Sequence, residues 1–457
     1  MDLKNIKTAY FIGIGGIGMS AIARYFNTLG IAVHGYDRTR NEFTEQLISE
    51  GLNIHFNEDI ESIPKEILLS PKESIVIYTP AIPANHEELL HLQNNNIRLH
   101  KRAEVLGIIS KNTFTIAVAG THGKTTTSSL IAHILNDCNI NFTAFLGGIS
   151  TNLNSNYIHK TDGIDIFDLP ISVVEADEFD RSFLHLTPNI GIVTSTDADH
   201  LDIYKVPSEV RKSFQAFVNC MQQGGTAIIK DKLELTYLGE LIRYGKTRKA
   251  DARYSKTKVV DHRFHFQYDF KKTSASFISG IPGFHNVENA TAAITACLKI
   301  GLETEQIKTA VEQFKGVKRR FEYIVDTPEH VVIDDYAHHP TELTACIESV
   351  RELYPDRKIT GIFQPHLFSR TRDFADGFAK ALDLLDECWL MDIYPARELP
   401  IEGINAEFLA LKMRNTATIT DRANILKTLT IEKPEVLVIL GAGDIDKLIQ
   451  PIRQLYA

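Results

Sequence analysis

Tryptophan occurs once and cysteine five times in this chain of 457 residues. The cysteines, Cys138, Cys220, Cys297, Cys346 and Cys388, are odd in number, lie far apart and form no C-x-x-C pair. That pattern argues against a disulfide framework and against a zinc knuckle. No apolar run reaches the ~18 residues of a membrane span, and the opening MDLKNIKTAYFIGIGG lacks the apolar core and cleavage site of a secretory signal. Secretion and membrane insertion are therefore not expected; a reducing cytoplasm is. Excess positive charge is missing as well: the formal charge of -9 argues against a general binder of nucleic acid or anionic membranes, while leaving room for a local basic pocket for phosphates. With no low-complexity tract and no solenoid period, there remains an ordinary globular composition, 44% hydrophobic and 23% charged, whose expected partners are small molecules. The length suits about three domains of ~150 residues.

Phosphate chemistry is what is present. The stretch Phe114 to Leu135, FTIAVAGTHGKTTTSSLIAHIL, reads as an apolar strand, a Gly-Lys-Thr turn and a helix. Gly120 and Gly123 let the main chain turn so that its N–H groups face an anion, and the helix N-terminus adds its positive end. Lys124 can reach the terminal phosphates of a nucleoside triphosphate, and the Thr125 hydroxyl can ligate magnesium. The spacing is shorter than G-x-x-x-x-G-K-[ST], because Val118 stands where the first glycine would be. A second glycine turn, Gly13, Gly15 and Gly18, also follows a strand, and Asp37 closes the next strand near the spacing of a ribose-binding acid. Alone it suggests NAD or FAD, or glycines that only permit close packing of helix on sheet. Beside another phosphate cradle, it better fits one of two phosphorylated ligands, a diphosphate sugar nucleotide.

Three blocks of alternating strands and helices follow the chain. The first contains TAYFI, IAVHGYD and SIVIYTP and is expected to end near Leu106. The second runs from the Thr113 strand through ISVVEADEFD, NIGIVTSTDADHLD and TAIIK to the helix of HNVENATAAITACLKIG, a short amphipathic helix and the basic hinge KGVKRR at Lys315 to Arg320. The third repeats the pattern with VVIDDYAHHP, KITGIFQPH, ECWLMDIYPA and EVLVILGAGD. The expected fold class is α/β with mostly parallel sheets and with active groups at the strands' carboxyl ends. The expected domains are 1–107, 108–316 and 317–457. The segment from Lys246 to Ser279 reads as an antiparallel hairpin insertion.

Several polar clusters sit at those strand ends. Glu175 ends ISVVEAD and His200 follows NIGIVTSTDAD, so the pair can hold magnesium at the phosphate loop, with Asp199 and Asp202 orienting the histidine. Asn286 and Asn289 open a helix and share a face, so their amides can bond a base edge; a plain helix cap at Asn286 is equally compatible. In the third block a carboxylate of Asp334 or Asp335 can bond a ribose hydroxyl and Arg370 a small carboxylate, while Tyr336 and His338 can close a pocket around a small amino acid. Arg319 and Arg320 stand at the hinge, where a cation could reach a transferring phosphoryl group.

Taken together, the chain resembles the Mur ligases over nearly its whole length. The carriers are GIGGIGMS at Gly13, GTHGKTTT at Gly120, EADEFDRSFLHLTPNIGIVTSTDADHLD at Glu175, HNVEN at His285, KRRFE at Lys318, DDYAHHPTE at Asp334, FQPH and SRTRD between Phe363 and Asp373, and GAGD at Gly441. The resemblance implies a Rossmann-like N-terminal domain that binds a UDP-sugar, a central P-loop ATPase-type domain, and a Rossmann-like C-terminal domain for an incoming amino acid. Within the family it points to the joining of L-alanine to the lactyl carboxylate of UDP-N-acetylmuramate, at the cost of ATP, through an acyl phosphate. The implied site residues are Gly15, Gly16, Gly18, Met19, Ser20, Asp37, Arg102 and Ser182 for the sugar nucleotide. Gly120, Thr121, His122, Gly123, Lys124, Thr125, Thr126, His285, Asn286, Asn289, Arg320 and Asp335 would serve ATP. Thr125, Glu175 and His200 would serve Mg2+, and Tyr336, His338, His366 and Arg370 the amino acid. Lys124, Glu175, His200, Arg320 and His338 form the implied catalytic set, and domain closure is implied to precede chemistry.

Two departures stand out. Leu367 follows FQPH where the alanine-specific ligases usually carry Arg, so one carboxylate contact is missing or supplied elsewhere. The carbamylated lysine of some relatives would fall near Gln215, and none is assigned. The alternatives are a murein tripeptide ligase of the same family, a nicotinamide-dependent dehydrogenase using the first glycine turn, and a silent sugar-nucleotide sensor. Monomer and homodimer both stay open.

Overall fold

The computed structural model describes residues 3–197, 206–396 and 398–456. Its strands form three sheets with helices packed on them. The first has β1 (Thr8–Ile12), β2 (Ala32–Tyr36), β3 (Asn53–His55), β4 (Ser74–Tyr78) and β5 (Leu99–Lys101) in the parallel order β3-β2-β1-β4-β5. β1 is buried along its whole length because both faces are covered: Ala9 and Phe11 enter one apolar cluster, Tyr10 and Ile12 another. The helix Ile17–Thr28 leaves β1 through the first glycine turn.

The second sheet holds β6 (Phe114–Ala119), β7 (Phe142–Ser150), β8 (Ser155–Lys160), β9 (Ile171–Ala176), β10 (Ile190–Val193), β11 (Thr226–Lys230), β12 (Glu240–Gly245), β13 (Ala252–Val260), β14 (Arg263–Phe270) and β15 (Thr273–Ser279). The order is β15-β14-β13-β12-β11-β10-β6-β9-β7-β8. β6 lies between β9 and β10, both parallel to it, with Ala119 opposite Ala176 and Val193. In that register Gly120, Asp177 and Thr194 leave the sheet at one level. The connection from β9 jumps across β6 to β10, which makes this edge a crevice of the kind where open α/β sheets bind ligands.

The third sheet has β16 (Glu322–Asp326), β17 (Val331–Asp335), β18 (Ile359–Phe363), β19 (Glu387–Leu390), β20 (Ala417–Ile419) and β21 (Val436–Leu440), ordered β16-β17-β21-β18-β19-β20. Only β16 runs antiparallel. Leu440 is opposite both Asp335 and Phe363, so Tyr336, Gln364 and Gly441 emerge together.

By packing, the chain divides into one unit of Met1–Arg253, Tyr268–Ser274 and Asn289–Ala310 and a second of Tyr254–Gln267, Ala275–Glu288 and Val311–Ala457. The first two sequence blocks share one apolar core within the first unit, running from Phe11 and Phe26 to Phe145, Phe183 and Phe214. Two readings of the sequence are corrected here. The helix Arg102–Ser110 runs unbroken through Leu106, because Val105, Leu106 and Ile109 are all buried. The segment from Lys246 to Ser279 does form the expected hairpins, with two-residue turns at Asp261-His262 and Lys271-Lys272 whose residues adopt φ between 49 and 55 where it is positive, but they are the last three strands of the second sheet and not a separate insertion.

Candidate active site

The phosphate loop is glycine-dependent for reasons of space. Gly120 takes φ 144 and Gly123 φ 83, and a Cβ would overlap Thr194 Oγ1 at the first and come to 2.5 Å from Asn289 Oδ1 at the second. The helix Lys124–Asp137 starts at Gly123, which leaves its first-turn N–H groups for an anion. Residues beyond β10 brace the loop: Thr121 Oγ1 lies 2.7 Å from Ser195 Oγ, His122 N donates to Ser195 Oγ at 2.8 Å, and Asp197 N donates to Thr121 Oγ1 at 3.1 Å. Thr125 and Thr126 are buried at the helix start.

Lys124 folds back over this loop. Its Nζ donates to Gly120 O at 2.6 Å and to Glu178 Oε1 at 2.8 Å, with Oε2 also at 2.8 Å. Burial works against the ammonium, but Glu178, Glu175 and Asp177 outweigh it and hold the Lys124 pKa above its ordinary value. Burial also pushes the Glu178 carboxyl up, opposed by Lys124. Three carboxylates around one ammonium keep Lys124 charged.

Glu175 ends β9 and accepts from Gly147 N at 2.9 Å; a Cβ at Gly147 would overlap its carboxylate. Thr125 and Glu175 offer hydroxyl and carboxylate oxygens, donors that suit a hard divalent cation. His200, with Asp199 and Asp202, lies outside the described residues.

At the first glycine turn, Asp37 is engaged with its own chain: Oδ2 accepts from Gly15 N at 2.7 Å and Oδ1 from Thr39 N at 3.1 Å. Gly16 caps the helix without crowding. The Arg102 guanidinium fills the space beside Gly18, and its Nη2 donates to Asp177 Oδ2 at 3.1 Å. Arg102, Glu175, Asp177 and Ser182 line one small cavity. The side chains of Met19 and Ser20 point into the protein. Met19 belongs to the apolar core, and Ser20 is fully buried, donating to Ile17 O at 3.0 Å and accepting from Asn156 Nδ2 at 3.2 Å. The helix turns both side chains inward, so only their main-chain groups can meet a ligand.

Asn289 packs on the phosphate loop, whereas Asn286 Nδ2 donates to Pro282 O at 2.6 Å and so secures the turn before its helix. His285 stands against Gly283, whose φ is 106. In the second unit Asp335 accepts from Ala337 N and Phe321 N, both at 2.8 Å, and burial raises its pKa to about 6 against the Arg320 charge. Oδ2 thus ties Phe321, next to the hinge, to β17, and Oδ1 closes the turn that follows the strand. The guanidinium carbons of Arg319 and Arg320 each lie 5.1 Å from the Tyr336 ring centre, and Arg320 Nη1 is 3.8 Å from Glu342 Oε1. His338 Nδ1 lies 3.0 Å from Tyr336 O and 3.4 Å from Glu342 Oε2. Burial lowers its pKa; Glu342 opposes this and Arg370 reinforces it, so the ring is neutral near pH 7. His366 stacks on Tyr394 with centroids 5.7 Å apart and meets His338 edge-on at 6.0 Å. Leu367 adopts φ 71 and donates its N–H to Tyr394 O at 2.9 Å. Gln215 Nε2 donates to Thr236 O at 2.8 Å, a structural bond.

Sequence reading missed Glu178, Ser195, Gly147 and Tyr394. Glu178 lies three residues after Glu175 and was open to notice; Gly147 gave no signal, since only the pairing of β7 with β9 brings it to Glu175.

Comparison with known proteins follows the same three blocks. The Mur ligase family catalytic domain matches residues 8–113, the Mur ligase middle domain 118–297, and the Mur ligase glutamate ligase domain 319–443. The chain is 46% identical to a UDP-N-acetylmuramate--L-alanine ligase of Flavobacterium johnsoniae, covering 100% of this chain and 99% of that one. It is also 46% identical to its counterpart in Porphyromonas gingivalis, over 98% and 99%. The crystal structure of the UDP-N-acetylmuramate-alanine ligase from Thermotoga maritima superposes with a TM-score of 0.81 at 28% identity, over 98% of this chain and 99% of that chain. With the phosphate loop, its carboxylate neighbours and three matched domains in one order, the chain belongs to the Mur ligase family.

Proposed function

We propose that this protein is an ATP-dependent carboxylate-amine ligase that joins L-alanine to the lactyl carboxylate of UDP-N-acetylmuramate, giving UDP-N-acetylmuramoyl-L-alanine, ADP and phosphate. The single observation that carries the reading is the Lys124–Glu178–Glu175 group on a phosphate loop, in a chain similar end to end to alanine-adding ligases.

In the proposed reaction the lactyl carboxylate oxygen attacks the γ-phosphorus and ADP leaves. The alanine amine then attacks the acyl carbon, phosphate leaves, and the amine proton passes to solvent or a base. Little covalent work falls to the protein; positioning and charge neutralisation carry the acceleration. Lys124 neutralises the terminal phosphates, and the amides from Gly120 to Thr125 cradle them. Thr125 and Glu175, with His200, would hold Mg2+, which supplies further neutralisation of phosphate oxygen charge. The first glycine turn and Arg102 would take the diphosphate of the sugar nucleotide. Arg370, His338, His366 and Tyr336 would take alanine, with the neutral His338 ring adding no charge to repel the substrate ammonium. No helix among the described residues is long and apolar enough to cross a membrane.

The test is ADP release with each substrate omitted in turn, run with a panel of amino acids and with a murein tripeptide. Release that needs both UDP-N-acetylmuramate and L-alanine is the expected result. Release only with a peptide assigns the tripeptide ligase instead, and NAD(P)H binding without ADP release assigns the dehydrogenase. Lys124→Ala should lower turnover about a hundredfold or more.

A further inference from the structure

Three acids in four consecutive positions each hold a different cation. Asp177 Oδ2 takes Arg102 at 3.1 Å, Glu178 takes Lys124 at 2.8 Å, and Asp180 Oδ2 takes Lys101 at 2.9 Å. Of the three, only Glu178 is buried, at 1% exposure. A chain that sends neighbouring side chains to separate partners must turn sharply. Here it does so with two successive residues in the left-handed region, Asp180 (φ 52, ψ 25) and Arg181 (φ 55, ψ 27), neither of them glycine. Such a conformation is sparsely populated for an L residue and persists only where its surroundings fix it. The Arg181 N–H to Glu178 O bond at 3.0 Å and the Phe179 N–H to Asp177 Oδ1 bond at 3.0 Å close the turn. The geometry therefore holds the Glu178 carboxylate in one place, with both oxygens 2.8 Å from Nζ.

We propose that Glu178 is a positioning residue for the ligase reaction, acting through Lys124 by holding its ammonium over the phosphate loop before the triphosphate arrives. The proposal rests on the nucleotide reading of that loop and gives Glu178 a role that none of the reaction steps above assigns to it. A lysine stem has four rotatable bonds, and freezing it at each binding event costs side-chain entropy. A buried carboxylate removes that cost in advance, because in a low dielectric its attraction for the ammonium is strong. Nζ has three donors. One donates to Gly120 O and one to Glu178 Oε1, so the third can meet an entering phosphate oxygen while the carboxylate keeps its hold. Charge thus remains paired at every stage. The opposite role, in which Glu178 occupies the phosphate's place as a latch, predicts that its removal strengthens ATP binding.

A double-mutant cycle on the full chain separates these. Lys124→Ala, Glu178→Gln and the double variant are compared for Mg-ATP binding by calorimetry and for substrate-dependent ADP release, with Glu178→Asp as the charge-preserving control. Gln is isosteric, so packing is kept. We expect Glu178→Gln to lose about tenfold or more in kcat/KM for ATP, the double variant to fall no lower than Lys124→Ala, and Glu178→Asp to recover part of the loss. Additive losses, or wild-type or tighter ATP binding in Glu178→Gln, overturn the proposal. If Glu178→Gln does not fold, the cycle is read with Glu178→Asp by the same criteria. Should the wild type bind ATP yet release no ADP with any amino acid, the assigned reaction fails while the binding cycle still decides the role of Glu178.

Discussion

Arg102 Nη2 donates to Asp177 Oδ2 at 3.1 Å, and the same guanidinium fills the space a side chain at Gly18 would need. The cation at the first glycine turn is thus held by an acid from the loop beyond β9. Replacing Arg102 by Ala should weaken binding of UDP-N-acetylmuramate about tenfold to a hundredfold, the worth of a charged hydrogen bond. Calorimetry checks it, and Mg-ATP affinity in the same variant should be unchanged.

Gly147→Ala tests the placement of Glu175 without touching its chemistry. The added Cβ overlaps the carboxylate, which must swing away from β7 and lose the Gly147 N–H bond. Turnover should fall about tenfold or more and the magnesium concentration for half-maximal rate should rise. Titrating magnesium against ADP release reads both effects.

Stability should depend on pH through Asp334. Burial, opposed by Arg319 and reinforced by Asp335 and Glu322, lifts its pKa from 3.8 to about 7. Between those values the native state binds more protons than the unfolded chain, so this group costs stability as pH rises through the window and costs nothing below it. Relative to Asp334→Asn, which cannot titrate, the wild-type melting temperature should fall between about pH 4 and about pH 7. Equal slopes in the two proteins would remove Asp334 as the cause.

Tyr394 supports His366 by stacking at 5.7 Å and an interplanar angle of 23°. Losing an aromatic pair of this kind costs about 0.5–1.5 kcal/mol, so Tyr394→Ala should raise the KM for alanine up to about tenfold. The KM for ATP should not move. Steady-state kinetics with each substrate varied makes the comparison.

Much of the fold could be read because parallel strands buried on both faces are written as apolar runs: TAYFI, FTIAVA, VVIDD and VLVIL stand out unaided. The three-residue strands β3, β5 and β20 carry no such run, and only pairing with a longer neighbour makes them strands. The glycine turns announced themselves through spacing. The burial of the Met19 and Ser20 side chains was not legible for the opposite reason, since a motif gives order along the chain but not which face of a helix is buried.

The amino-acid sequence alone determined the alternation of strand and helix and the two glycine turns, and it singled out Lys124, Thr125 and Glu175 as candidates, because each follows from local spacing and residue chemistry. Only the tertiary structure decided that Glu178 and not solvent meets Lys124, that Gly147 must lack a side chain beside Glu175, and that Tyr394 underlies His366. Those partners are distant in sequence, and it is strand register that brings them within reach.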